Sequence, residues 1–120
     1  MVSKQEVADF LKAFKQRLQE VRWLYVVNRR ENLEGLTEIG ITKRQREEII
    51  FSLTPEDYCE GPVPDEKLPG DVWVFGKTIE GREVYIKLKL TATEAPKCLS
   101  FHPAKFPLHF PLQGSEGGQQ

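Results

Sequence analysis

The sequence lacks most of the features that identify common enzyme and membrane classes. Its two cysteines, Cys59 and Cys98, fit neither a disulfide framework nor the spacing of metal ligands. No apolar run approaches the roughly 18 residues of a membrane span, and the first residues lack the apolar core of a signal peptide. No glycine-rich loop carries the lysine and following helix of a P-loop. We therefore expect a cytoplasmic protein without a metal, a cofactor or membrane contact.

Charge is nearly balanced over the whole chain but unevenly distributed along it. The net charge is −1, so the chain is not globally basic, as many nucleic-acid-binding domains are. Residues 1–76 contain 11 basic and 14 acidic residues, whereas residues 77–105 contain six basic and three acidic residues. This local excess is compatible with a surface that contacts a phosphate backbone, and also with an ordinary solvated strand face.

Capping signals and apolar spacing predict a helix at the N-terminus. Ser3 and Glu6 form a capping-box signature, and apolar residues then recur at intervals of three or four. The pattern predicts a helix over residues 4–20. The β-branched and aromatic run that follows, residues 21–28, predicts a strand.

Further helices and a loop are predicted before the second half of the chain. Residues 32–40 fit one or two helical turns closed by a glycine. Thr42 and Gln45 give a second capping signal, which predicts a helix over residues 43–53. Residues 61–70 are rich in proline and glycine, which indicates an internal loop and a candidate mobile flap.

The second half of the chain predicts a three-stranded antiparallel meander. Residues 72–78 and 83–91 flank a glycine-containing turn, and residues 97–102 supply the third strand. Residues 106–112 alternate aromatic residues with proline, so we expect an extended strap that lies on the domain.

The order of these elements predicts the fold class. Helices that precede a run of strands are typical of α+β proteins, here with the N-terminal helices packed on one face of a small antiparallel sheet in two layers. We expect a single domain over residues 1–112 and a disordered tail over residues 113–120.

Strand alternation predicts which side chains share the outer face of this sheet, because successive side chains point to opposite sides. The residues expected to point into the core are Val72, Val74, Val84, Ile86, Leu88, Leu90, Leu99 and Phe101. The residues expected on the outer face, with Cys98 beside them, are Trp73, Phe75, Lys77, Tyr85, Lys87, Lys89, Ser100 and His102.

This predicted face suits single-stranded RNA. Aromatic side chains stack on bases and cations hold phosphates, so we assign RNA binding to Arg82, Lys89, Trp73, Phe75 and Ser100. The alternative for Trp73 and Phe75 is a second small core beneath the strap.

The same face could also cleave RNA. Cleavage without a metal requires a base, an acid and cations that stabilise the crowded phosphorus centre. His102 is the candidate proton carrier, and Tyr85 is the second if Lys87 or Lys77 lowers its pKa. Lys77 and Lys87 complete the candidate catalytic set, with Arg82 as a further phosphate clamp. The alternative is an inert histidine on a solvated sheet.

Several segments in order resemble one family. They are Leu36-Thr-Glu-Ile-Gly40, Ile49-Ile-Phe-Ser-Leu53-Thr-Pro-Glu-Asp57-Tyr58, Val72-Trp73, Gly81-Arg-Glu-Val84-Tyr85-Ile86-Lys87 and Leu99-Ser-Phe101. By their order and spacing, residues 36–101 resemble the MqsR family of type II toxin–antitoxin toxins, within the RelE-like superfamily of mRNA interferases. No single motif among them is diagnostic.

The resemblance implies a RelE-like toxin that cleaves mRNA without a metal. It also implies a cognate antitoxin, in this family usually a zinc-binding protein with a helix-turn-helix part. Tyr85 matches the position of the family's active-site tyrosine. His102 lies close to the position, after Ser-Phe, at which the family has a basic residue. The family's active-site glutamine and lysine appear here as Val74 and Glu60, so two polar contributors are missing and rate or cleavage preference could differ.

The sequence therefore predicts a ribonuclease toxin that acts on single-stranded mRNA, free or on the ribosome. The first alternative is a non-catalytic RNA- or ribosome-binding module of the same fold, motivated by the two missing residues. The second is a protein-interaction domain whose exposed aromatic residues dock a partner strand or helix.

Overall fold

A computed structural model describes residues 2–114 of the chain. Within that range the elements are α1 (Lys4–Val21), β1 (Tyr25–Val26), α2 (Arg30–Ile39), α3 (Lys43–Phe51), a 3-10 helix (Pro55–Asp57), β2 (Tyr58–Pro64), β3 (Asp71–Ile79), β4 (Arg82–Lys89) and β5 (Lys97–Pro103). The tail predicted for residues 113–120 lies outside the described residues from residue 115 onward.

The strands form one mixed sheet in the order β1-β5-β4-β3-β2. β1 pairs with β5 in parallel, and the other neighbours are antiparallel. The three helices pack against this sheet, with α2 along the edge of β5, so the predicted α+β two-layer fold is confirmed. The predicted three-stranded meander was incomplete, since β1 and β2 extend it at its two edges.

β2 occupies part of the segment that was predicted to be a loop. Pro62 and Pro64 lie in this strand, which is possible because an edge strand has one side without a hydrogen-bonded neighbour. Its pairing with β3 is irregular, with register shifts on both sides of Glu60. The prolines in this segment therefore belong to an irregular edge strand, and the predicted loop is wrong for residues 61–64.

The helix boundaries follow the predicted capping signals. Ser3 Oγ accepts a hydrogen bond from the Glu6 amide at 3.1 Å, and the Glu6 carboxylate accepts one from the Ser3 amide at 2.8 Å. Thr42 and Gln45 form the same reciprocal box ahead of α3. α2 ends at Gly40, whose φ of 87° is left-handed and is readily adopted by glycine.

One side chain completes the sheet where β1 stops. Beyond the two residues of β1, Asn32 of α2 donates through Nδ2 to the Leu99 carbonyl at 3.0 Å and accepts from the Phe101 amide at 3.0 Å. It also donates to the Val27 carbonyl at 2.9 Å. Gly35 permits this close approach, because a Cβ there would lie 2.7 Å from the Phe101 carbonyl oxygen.

The segment 106–112 crosses the face of the sheet opposite the helices, as the predicted strap. It passes over Gly76, where a Cβ would overlap the side chain of Leu108 and lie 3.0 Å from Phe110. The Leu108 amide donates to the Glu83 carboxylate at 3.1 Å. Glycine at position 76 therefore makes room for the strap.

Candidate functional site

Strand register decides which side chains share the face opposite the helices. Residues paired across antiparallel strands point to the same side. His102 pairs with Tyr85, and Ser100 pairs with Lys87, so β4 and β5 bring these four predicted site residues together. Val74 of β3 also pairs with Lys87 and joins this face, although it was predicted to point inward.

The predicted inward and outward faces of β3 were exchanged. Trp73 pairs with Leu88 and Phe75 with Ile86, which places both aromatic rings on the helix-packed side. Phe75 is fully buried, and Phe10 of α1 stacks on Trp73 with a centroid distance of 4.6 Å. These two side chains therefore pack in the core and are not placed to stack on RNA bases.

Two of the predicted phosphate-binding cations also lie on the helix side. Lys77 pairs with Val84, and its Nζ lies 3.1 Å from Asp57 Oδ2. Arg82 donates to the Glu38 carbonyl at 3.3 Å, near the C-terminal end of α2, where a cation is favourable. Both side chains hold helical segments against the sheet, away from Tyr85.

Lys89 is on the predicted face but is buried. Its side chain is 1% exposed, and its Nζ lies 2.7 Å from Asp65 Oδ2. The hydrogen bond from Lys89 is the main cause that lowers the pKa of Asp65 to about 2. This ion pair anchors the segment after β2, the predicted flap, to β4, so Lys89 is not available to a phosphate.

A bulge in β5 reverses two further predictions. The register shifts so that Lys87 lies opposite Ser100 but Leu88 lies opposite Cys98. Because a bulge inserts an extra residue, Leu99 faces the open side instead of the core. Cys98, predicted to face out, is fully buried in the core, and burial raises its pKa to about 12.

Tyr85 and His102 form the centre of the open face. Their rings stack with a centroid distance of 5.5 Å and an interplanar angle of 27°. His102 Nδ1 lies 2.9 Å from the Pro103 carbonyl, which can only accept, so Nδ1 carries a proton and Nε2 of the neutral ring is an acceptor. Burial, followed by the Glu60 charge, raises the pKa of Tyr85, the opposite of the predicted lowering. The phenol therefore stays protonated.

A cleft of about 380 Å³ opens beside this pair, and cations lie in its wall. Lys87 Nζ is 6.0 Å from the centroid of the Tyr85 ring. Lys105 forms an ion pair with Glu31. The hydrogen bond that the Lys105 ammonium donates to the Glu31 carboxylate is the main reason why the pKa of Glu31 is lowered. Within residues 2–114, neither Arg29 nor Lys87 forms an ion pair, so both remain available to an anionic ligand.

Arg29 was not predicted as a site residue. It precedes α2 and reaches the cleft because β1 runs parallel to β5 and delivers the following residues beside His102. The adjacent Arg29-Arg30 pair in the sequence was the available signal, but its use required the parallel pairing, which local patterns do not reveal.

A second cleft, of about 210 Å³, adjoins the first and shares Arg29, Tyr85 and Lys87 with it. Val74 and Glu60 pair across β2 and β3 and line this second cleft. These are the positions at which the resemblance places a glutamine and a lysine. Here they contribute an apolar and an acidic side chain beside Tyr85.

Comparison with known proteins gives no relative: no family model, no curated protein and no solved structure matches the chain. Among the described residues, no helix is long and apolar enough to cross a membrane. In the same part of the chain, no group of three or more His, Cys, Asp or Glu side chains is arranged to hold a metal ion. A functional assignment therefore depends on the cleft and on the resemblance of residues 36–101.

Proposed function

We propose that this protein is a metal-independent endoribonuclease that cleaves mRNA as the toxin of a type II toxin–antitoxin system. The observation that supports it best is the stacked Tyr85–His102 pair in a cleft flanked by Arg29 and Lys87. A base, an acid and cations beside one cleft are the groups that metal-free phosphodiester cleavage requires.

In the proposed reaction, His102 Nε2 accepts the proton of a ribose 2′-hydroxyl. The 2′-oxygen bonds to the adjacent phosphorus as the bond from phosphorus to O5′ breaks, and the Tyr85 hydroxyl donates its proton to that O5′. The products are a 2′,3′-cyclic phosphate and a 5′-hydroxyl. Arg29 and Lys87 stabilise the additional negative charge on the phosphoryl oxygens. The raised pKa of Tyr85 keeps the phenol protonated, so that it has a proton to donate.

The positions implied by the resemblance support this site because they converge in space. Tyr85 and His102 stack, and Val74 and Glu60 line the adjoining cleft. The proposal extends to a RelE-like classification, a cytoplasmic location and a cognate antitoxin. A neighbouring gene for a small zinc-binding protein with a helix-turn-helix part would support the antitoxin.

Specific residues also favour a second candidate, a non-catalytic module that binds RNA or the ribosome. Val74 and Glu60 replace polar and basic residues of the resembled family, and Lys77 and Lys89 are held in ion pairs. Such a protein would bind RNA with an affinity that falls as salt rises, without shortening the RNA.

Induced expression in a bacterial host, with growth and transcript ends measured together, separates the two candidates. The wild type should arrest growth and create new mRNA ends, with a cyclic phosphate on each upstream fragment. His102→Ala and Tyr85→Phe should each slow cleavage about 10²–10⁴-fold, the usual contribution of general acid–base catalysis.

Two substitutions of the same chemistry serve as controls. His109→Ala and Tyr25→Phe alter exposed side chains outside the residues that line the cleft and should leave toxicity intact. Full toxicity in both His102→Ala and Tyr85→Phe would refute the site. Intact transcripts with folded wild-type protein would favour the binding module.

A further inference from the structure

Among the residues that the structure describes, a largely buried arginine on α3 forms no ion pair. Arg46 occupies the inward face of the helix one turn before Ile50, and it is only 8% exposed. Its Nε is buried without a hydrogen-bond partner, and its guanidinium forms no ion pair within the described part of the chain. Leaving a buried N–H without a partner is costly, and the terminal guanidinium nitrogens, which are not among the buried unpaired atoms, remain open to an anion.

Arg46 lines a cavity of about 260 Å³ between α2, α3 and the segment that joins β1 to α2. The cavity is lined by Val26, Val27, Asn28, Asn32, Leu33, Leu36, Lys43 and Arg46. Its ionisable lining residues, Lys43 and Arg46, are both basic. The carboxamide of Asn32 is already bonded to the backbone of β5 and of residue 27.

The buried thiol of Cys98 does not neutralise Arg46. The guanidinium is close enough to lower the pKa of Cys98, but burial outweighs this effect and raises that pKa to about 12. The thiol is therefore neutral at physiological pH and supplies no negative charge to Arg46.

We propose that this cavity is an anion-binding site in which Arg46, assisted by Lys43, holds one small oxyanion, a phosphate or a carboxylate group. A guanidinium presents paired N–H donors that match both groups. The volume is below the roughly 300–1,000 Å³ of sites for drug-sized ligands, so the cavity suits a single anionic group against an apolar wall. It shares no lining residue with the Tyr85–His102 cleft and does not depend on RNA cleavage.

Arginine side-chain NMR on the wild-type chain tests the proposal directly. Inorganic phosphate is titrated at constant ionic strength against chloride, and acetate is titrated in a second arm. The chemical shift of the Arg46 Nε–H resonance should change as the anion is added and should reach a plateau when the site is saturated. Arg44 is the internal control, because its side chain is 90% exposed and pairs with the exposed Glu48. Saturation by either anion supports the oxyanion site and identifies its preferred group. An unmoved Arg46 resonance in both arms overturns the proposal.

Thermal unfolding of two matched variants gives an independent readout. Arg46→Met removes the charge with a side chain of similar length, whereas Arg44→Met does so on the exposed face. The preferred anion at a hundredfold excess over its Kd should raise the folded-to-unfolded ratio about a hundredfold in the wild type and in Arg44→Met. Arg46→Met should gain nothing and should be at least as stable as the wild type without anions. An equal gain in Arg46→Met would place the anion elsewhere and refute the assignment.

Discussion

Replacing Asp65 by asparagine should destabilise the protein far more than an ordinary surface substitution. The Lys89 side chain is 1% exposed and the Asp65 side chain 10% exposed, with 2.7 Å between Nζ and Oδ2. Asparagine preserves the size of the side chain but carries no negative charge. Asp65→Asn therefore leaves the Lys89 ammonium buried and without a counter-charge.

Breaking a buried ion pair by removing one partner costs about 3–5 kcal/mol. For a chain of this length, 1 kcal/mol lowers the Tm by about 4 °C, so the expected loss is about 12–20 °C. The exposed pair Arg44–Glu48 is the matched control, since its side chains are 90% and 65% exposed. Glu48→Gln should cost no more than about 1 kcal/mol.

Urea unfolding followed by circular dichroism measures both free energies. Asp65→Asn combined with Lys89→Met should recover most of the loss, because a methionine fills the buried volume without a charge. A loss below about 1 kcal/mol in Asp65→Asn, at unchanged m-value, would refute the reasoning, since that is the range of solvated pairs.

The pH dependence of the same pair has a defined sign. The folded-state pKa of Asp65 is about 2, below its ordinary value of 3.8, so the carboxylate stabilises the fold when it is ionised. That contribution is complete above the ordinary pKa and is lost as the pH falls through about 2. The difference in stability between the wild type and Asp65→Asn should therefore shrink on acidification across this window.

Three further predictions concern other parts of the fold. Gly76→Val should displace the strap because its Cβ would overlap the Leu108 side chain and its two methyl groups need further space, so limited proteolysis should cut residues 106–112 faster than in wild type; equal rates would contradict the contact. Asn32→Leu removes three hydrogen bonds and should cost about 3 kcal/mol or more in urea unfolding, at about 1–3 kcal/mol for each unsatisfied buried group. Burial raises the pKa of both Cys59 and Cys98 to about 12, so a thiol reagent at about pH 8 should label them only after unfolding; labelling of the native protein would contradict this.

Local signals predicted the helices well because each helix end is decided by a few neighbouring residues. The capping boxes at Ser3 and Thr42 and the glycine end at Gly40 all form as expected. The strap was also predicted, from the three prolines Pro103, Pro107 and Pro111, whereas the prolines of β2 show that such residues permit an edge strand. The RNA-binding and catalytic roles of the residues that line the cleft remain predictions.

The face of β3 could not be predicted from that strand alone. Residues 72–75 are apolar at every position, so alternation gives no indication of which side is inward. Pairing with β4 decides the matter and places Trp73 and Phe75 under α1. In β5 the bulge depends on two strands together, so Cys98 and Leu99 were assigned to opposite faces from those they occupy.

The sequence also did not reveal which cationic side chains are free to bind an anionic ligand. Lys77 and Lys89 look like solvated basic residues until β3 and β4 meet Asp57 and Asp65, which lie far from them along the chain. Arg29 shows the reverse, because only the parallel pairing of β1 with β5 brings it to the cleft. Long-range pairing therefore decided the membership of the candidate site.

The way the sheet ends has a consequence for self-association. An exposed strand edge with consecutive unpaired N–H and C=O groups is a template on which other chains aggregate. At one edge β1 is two residues long and Asn32 already occupies the groups of β5 beyond it. At the other edge Pro62 and Pro64 remove amide donors from β2. Within residues 2–114 neither edge presents a long uninterrupted template, so we expect the folded chain to resist fibre formation even at high concentration.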